Sequence, residues 1–132
     1  MPQNTPPLPP LPTISEAESQ VMLQLWREHP QSAEQLALSL MPEQGWQLST
    51  IKTLLNRLLQ KGAIAADKDG RRFLYRPLVA EADWLKSQSL SLIDRWFGGG
   101  LAPLVAQFAS HRKLSAEDLT ALKELIKEQD RG

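Results

Sequence analysis

The sequence predicts a mostly α-helical protein of six helices, with one β-hairpin set between the third and the fourth. Three observations carry that reading. Within Leu48–Lys61, Ile51, Leu54, Leu55, Leu58 and Leu59 recur at i, i+3, i+4, i+7 and i+8, a single apolar stripe along a helix. After Gly62 the period changes. Two short runs, Ala63–Ala66 and Arg71–Arg76, flank Asp67-Lys68-Asp69-Gly70, and Asp-Gly between such runs is a strong hairpin signal. Ahead of both lie two capping boxes, Ser15-Glu16-Ala17-Glu18 and Ser32-Ala33-Glu34-Gln35, each of which opens a helix. Helix, short turn, helix, longer loop, helix and hairpin make a winged helix-turn-helix with a two- to three-stranded wing.

Taken in order, residues 1–12 hold six of the ten prolines and cannot form helix; they read as an extended, mobile tail. A proline-rich ligand for an SH3-like domain is the other reading of that segment. The first helix follows Ser15 and runs to about Glu28, with Ala17, Val21, Met22, Leu25 and Trp26 inward and Pro30 as its stop. The second turns Leu36, Ala37 and Leu40 inward, and Pro42 is expected beyond its end. The loop Glu43–Gln47 leads to the third helix. There Ser49 is the expected N-cap and Gly62 the left-handed residue that closes the helix. In the hairpin, Phe73 and Tyr75 alternate with Arg72, Leu74 and Arg76, and Pro77 ends the second strand.

Residues 80–132 read as a second, helical region. Trp84, Leu85, Leu92, Ile93, Trp96 and Phe97 lie on the fourth helix, which Gly98-Gly99-Gly100 breaks. A short fifth helix carries Leu104, Val105 and Phe108, with Pro103 in its first turn. Ser115 opens the sixth, where Leu119, Leu122, Leu125 and Ile126 form the stripe. About fifty residues bury little core alone. A second copy would cover these stripes, so Trp84, Leu92, Trp96, Leu104, Phe108, Leu119, Leu122, Leu125 and Ile126 are the expected dimerisation residues. The other reading folds the three helices back onto residues 13–79. The expected domains are thus a tail (1–12), a winged helix (13–79) and a dimerisation region (80–132).

Composition narrows the function. The 132 residues contain no cysteine, which removes disulfides, thiolate metal sites and a cysteine nucleophile. Only His29 and His111 offer imidazole, which argues against a zinc site. Neither a glycine-rich phosphate loop nor a nucleophile–base set is present, so no enzyme and no cofactor are expected. With no apolar run of membrane length and no leader, the expectation is a cytoplasmic protein that does not insert in a membrane. Net charge is zero, but its distribution is uneven. Residues 1–46 carry one cation and five anions, 47–78 seven cations and two anions, and 79–132 seven cations and eight anions. The positive charge is gathered on the third helix and the hairpin, which is the electrostatic footprint of a DNA-binding surface. On that helix Ser49, Thr50, Lys52, Thr53, Asn56 and Arg57 lie off the apolar stripe, and none is acidic. Hydroxyls, an amide and cations pair with base edges and phosphates, which suits a major groove. Lys68, Arg71 and Arg72 on the wing are suited to phosphates and the minor groove. The competing reading, a winged helix that binds protein, predicts an apolar or acidic outer face on the third helix.

Several segments resemble the BlaI/MecI/CopY family of bacterial regulators. They are Ile14–Glu18, Val21-Met22 with Leu25-Trp26, Thr50-Ile51-Lys52-Thr53-Leu54-Leu55-Asn56-Arg57-Leu58, Lys61-Gly62-Ala63 and Tyr75–Val79. The resemblance covers about residue 13 onward, and the Thr50–Leu58 core is its specific part. It implies a homodimeric winged-helix repressor on a palindromic double-stranded DNA operator, relieved by a signal. Its recognition-helix positions match Ser49, Thr50, Lys52, Thr53, Asn56 and Arg57, and its wing positions match Arg71 and Arg72. Penicillinase-type members are relieved by proteolysis linked to a membrane sensor of β-lactams, at an Asn-Phe bond; here the corresponding bond is Gln107–Phe108. Copper-responsive members use C-terminal cysteine pairs, which this chain does not have.

Overall fold

The computed structural model describes residues 11–131, so most of the proline-rich tail lies outside the described residues. The chain divides into two compact units between Ser87 and Gln88. In the first, α1 (Glu16–Arg27), α2 (Ala33–Gln44) and α3 (Leu48–Gln60) precede the antiparallel strands β1 (Ile64–Asp69) and β2 (Arg72–Pro77). Next comes α4 (Glu81–Trp96), whose beginning belongs to this unit, and then α5 (Leu101–His111) and α6 (Ala116–Arg131) of the second.

Both capping boxes form. The Ser15 hydroxyl accepts from the Glu18 amide while the Glu18 carboxylate accepts from the Ser15 amide at 2.8 Å. Ser32 and Gln35 do the same at the start of α2. Each pairing satisfies two of the amides a helix start leaves without partners. The three helices then bury their stripes on one another. Val21, Met22 and Leu25 of α1, Leu36 and Leu40 of α2, and Ile51, Leu55 and Leu58 of α3 are all fully buried. Each such side chain contributes roughly 1.5–3 kcal/mol relative to exposure.

Two boundaries differ from the sequence reading. Pro42 lies inside α2, which continues to Gln44 and ends at the left-handed Gly45. A proline loses its own donor and crowds the carbonyl four residues back, here that of Leu38, which lies in an exposed turn near the helix end. The N-cap of α3 is Gln47, and Ser49 falls within the first turn. At the other end Gly62 takes φ +76° as expected. Its amide donates to the Leu59 carbonyl and that of Ala63 to Leu58, the two bonds of a Schellman motif.

The hairpin is longer and its loop shorter than the sequence suggests. Asp69 pairs directly with Arg72, so only Gly70 and Arg71 form the loop. Gly70 supplies a positive φ at the first of these positions and Arg71 has none, the φ pattern of a type II′ turn. A third strand is reduced to one bridge: Gln31, between α1 and α2, exchanges both backbone hydrogen bonds with Tyr75. That bridge ties the wing to the helices.

Glu18 does more than cap α1. Its carboxylate is almost fully buried and also pairs with Lys61 at the C-terminus of α3, while the Lys61 ammonium donates to the Thr13 carbonyl at 2.7 Å. Burial pushes the carboxyl up. The hydrogen bonds from Lys61 and Ser15, with the charge of Lys61, outweigh that and hold it below the ordinary value of 4.5. A carboxyl depressed in the folded state stabilises it above the unfolded-state value, and that stability is lost as pH falls through the folded value. The stability gap between wild type and Glu18→Gln, measured by urea unfolding, is therefore expected to be constant above about pH 4.5 and to close below it. Lys61→Met, which leaves the buried carboxylate without its partner, is expected to cost about 1–3 kcal/mol at pH 7.

Candidate nucleic-acid interface

The rotation of α3 is set by its buried stripe. With Ile51, Leu54, Leu55 and Leu58 turned into the core, Ser49, Thr50, Lys52, Thr53, Asn56 and Arg57 all come out exposed. The six predicted residues therefore share one outward surface about two and a half turns long. The Thr53 hydroxyl donates to the Ser49 carbonyl at 3.0 Å, while Lys52, Asn56 and Arg57 make no side-chain hydrogen bond or ion pair among the described residues. No acidic side chain sits on α3. The surface holds donors and acceptors not engaged by the protein itself, which is what base-edge and phosphate contacts require.

The wing brings cations beside that surface. Lys52 of α3, Arg71, Arg72, Phe73 and Tyr75 of the hairpin, and Ala33 and Glu34 of the first turn of α2 line one cavity of about 140 Å³. A second, of about 570 Å³, opens between Ser32, Glu34, Gln35 and Leu38 on one side and Asp69, Arg71 and Arg72 on the other. Burial raises the Tyr75 phenol above its ordinary value and the charge of Glu34 adds to this, so the ring is neutral at physiological pH. Lys52 of α3 and Arg71 and Arg72 of the wing thus line one concave surface, together with the start of α2, which the sequence reading did not assign to it.

Arg71 and Arg72 are not equivalent. Arg71 occupies the turn and forms no ion pair among the described residues. Arg72 turns to Asp69, its Nε and Nη2 donating to one carboxylate oxygen at 3.3 and 3.2 Å. Arg76 does the same with Asp67 at 2.9 Å. Asp67 and Asp69 read as turn chemistry in the sequence; the i, i+3 spacing of Asp69 and Arg72 was the available signal for the nearer pair.

The residues expected at a subunit interface separate into two groups. Trp84 is engaged within its own chain: its ring packs on Trp26 at 5.4 Å between centroids, against the core of the first unit. Trp84 is half-buried there, and the first turn of α4 packs on the winged helix. In the second unit no residue of α5 or α6 is buried. Leu92, Trp96, Phe108, Leu119, Leu125 and Ile126 are exposed, and Leu104 and Leu122 half-buried. Gln107 and Phe108 lie in the body of α5, where the Gln107 carbonyl accepts from the Ser110 hydroxyl at 2.7 Å.

A family model described as penicillinase repressor matches residues 14–128. The penicillinase repressor of Bacillus licheniformis is 33% identical over 118 residues, spanning 89% of this chain and 92% of that protein. The methicillin resistance regulatory protein MecI of Mammaliicoccus sciuri is 33% identical over 113 residues, 86% of this chain and 92% of that one. Among solved structures, the DNA-binding domain of the repressor BlaI aligns at a TM-score of 0.52 with 36% identity, covering 56% of this chain and 90% of that domain. The monomeric form of B. licheniformis BlaI bound to the blaP half-operator aligns at 0.50 with 36% identity and the same coverage.

Proposed function

The chain belongs to the penicillinase-repressor family, and on that premise we propose that it is a DNA-binding transcriptional repressor acting as a homodimer on a palindromic operator. The observation that carries this is the acid-free outer face of α3, whose Lys52 lines one concave surface with Arg71 and Arg72 of the wing. In this reading α3 enters the major groove. Asn56 and Arg57 pair with base edges, while Lys52, Thr53 and the wing hold the flanking phosphates. The related BlaI monomer bound to a half-operator supports one winged helix per half-site. Selection of bound fragments from the organism's own genomic DNA tests the reading: it is expected to return one inverted-repeat sequence, and recovery of no preferred sequence would contradict it.

Arg57→Ala and Asn56→Ala are expected to weaken binding to that sequence by about 1–3 kcal/mol each and to relax base choice at one position of each half-site. Circular dichroism should show both variants folded, since both side chains are exposed. Wild-type affinity in both would remove α3 from the groove.

The homodimer rests on the apolar surface of the second unit. Leu92, Trp96, Phe108, Leu125 and Ile126 expose large apolar area that a second copy of the same unit would cover. Two half-sites about one helical turn or a multiple apart then receive two linked winged helices. A fragment ending at Ser87, which keeps Trp84 on Trp26, is expected to sediment as a monomer and to bind the full operator far more weakly than the whole chain. A whole chain that is monomeric at micromolar concentration yet binds tightly would contradict the assignment.

Relief of repression, in this reading, comes from loss of the dimer. A cut between Gln107 and Phe108, made by a protease system coupled to a membrane β-lactam sensor, would divide α5 and leave α6 held by contacts alone. Each half-site would then return to weaker monomer binding by mass action. The bond is part of a formed helix, so a protease must first open that turn. Exposing the host to a β-lactam is expected to yield a fragment ending at Gln107, read by mass spectrometry. Intact protein with derepressed genes would assign release to another signal.

A further inference from the structure

Two carboxylates, Asp67 and Asp69, stand on the wing and pair with two of its arginines. In an antiparallel hairpin, directly paired residues share a face, and β1 pairs Ala65 with Arg76, Asp67 with Leu74 and Asp69 with Arg72. Asp67, Asp69, Arg72 and Arg76 therefore lie on one face, while Lys68 lies with Phe73 and Tyr75 on the other. On the first face both arginines are engaged: Arg72 with Asp69 at 3.2 Å and Arg76 with Asp67 at 2.9 Å. Lys68 and Arg71 have no ion-pair partner among the described residues.

From this we infer that Asp69 is an affinity-setting residue that keeps Arg72 from counting as a phosphate contact; the inference rests on the DNA-binding reading above. The physical basis is counterion release. A cation that neutralises a phosphate frees a counterion from DNA, and the salt dependence of binding counts those events. If Arg72 left Asp69 for a phosphate, the carboxylate would stay in the same cross-strand pair, unpaired and beside the phosphate. It would repel that phosphate or recruit a cation of its own, and the net count would not change. The ion pair is half exposed, so its own strength is modest; its neutrality is what matters. The wing then acts through Arg71 and Lys68, and the charge of Arg72 is held in reserve by one side chain.

The test is a double-mutant cycle read as the slope of log affinity against log salt, on the selected operator duplex and on a scrambled duplex of equal length. Asp69→Asn is expected to steepen the slope by about 0.9, so that affinity falls about 3.5-fold more than for wild type between 50 and 200 mM salt. Arg72→Ala is expected to abolish that gain in the Asp69→Asn background and so return the wild-type slope, since the double variant, like the ion pair, carries no net charge. Arg71→Ala is expected to lower the slope by about 0.9 in either background. Asp69→Ser repeats the measurement with a second neutral residue, and thermal melts check that each variant is folded. An unchanged slope in both Asp69 variants, or a slope about 0.9 below wild type in the Asp69→Asn, Arg72→Ala double variant, would overturn the inference while leaving the repressor reading intact. A wild-type protein that binds neither duplex at about 50 mM salt would overturn the DNA-binding reading itself.

Discussion

Burial of one stripe of α3 is the constraint on which the rest of the winged helix depends. Ile51, Leu55 and Leu58 are fully buried and Leu54 nearly so. A helix with four such anchors over two turns cannot rotate about its axis without exposing a leucine, at roughly 1.5–3 kcal/mol for each one lost from the core. The orientation of Ser49, Lys52, Thr53, Asn56 and Arg57 is therefore a consequence of packing on the opposite side. The function of the outer face is supported by residues that never touch it.

Three long-range contacts hold this arrangement at its edges. Glu18 and Lys61 join the start of α1 to the end of α3. Gln31 and Tyr75 exchange backbone hydrogen bonds and tie the wing to the turn between α1 and α2. Trp26 donates to the Val79 carbonyl at 2.8 Å and packs against Trp84, which secures the chain leaving the wing. The first two join α3 and the wing to the rest of the domain, and the third fixes the segment after the wing. The wing's cations consequently stand at a defined place beside α3, so a chain of zero net charge presents a local positive surface.

The second unit is built on a different principle. Its helices begin where sequence signals place them: α5 follows Gly100 without a side-chain cap, and at the start of α6 the Ser115 hydroxyl accepts from the Asp118 amide. Yet α5 and α6 bury no residue within the chain. Local signals suffice to form a helix start, but a fifty-residue segment has too little apolar area to close a core on itself. The exposed Trp96, Leu125 and Ile126 are the physical reason for assigning these helices to a second copy.

What the sequence alone determined was whatever depends on neighbours within one helical turn or across one tight loop. The two capping boxes, the α3 stripe with its outer face, the left-handed Gly62 and the existence of the hairpin were all legible, because spacing of three or four residues or alternation by two encodes them directly. Tertiary structure decided whatever depends on which surfaces meet. Ser49 is a good cap by composition, but with Leu48 and Ile51 packed on the core the helix starts at Leu48 and Gln47 is its cap. Trp84 has no aromatic partner within its own helix; the ring it packs on, Trp26, lies in the first helix. Glu18 was legible as a cap and not as a buried ion-pair member, since Lys61 is 43 residues away. Arg72 read as a free cation until the hairpin register set Asp69 opposite it. Periodicity reports which way a side chain faces; only the packed chain decides what it faces.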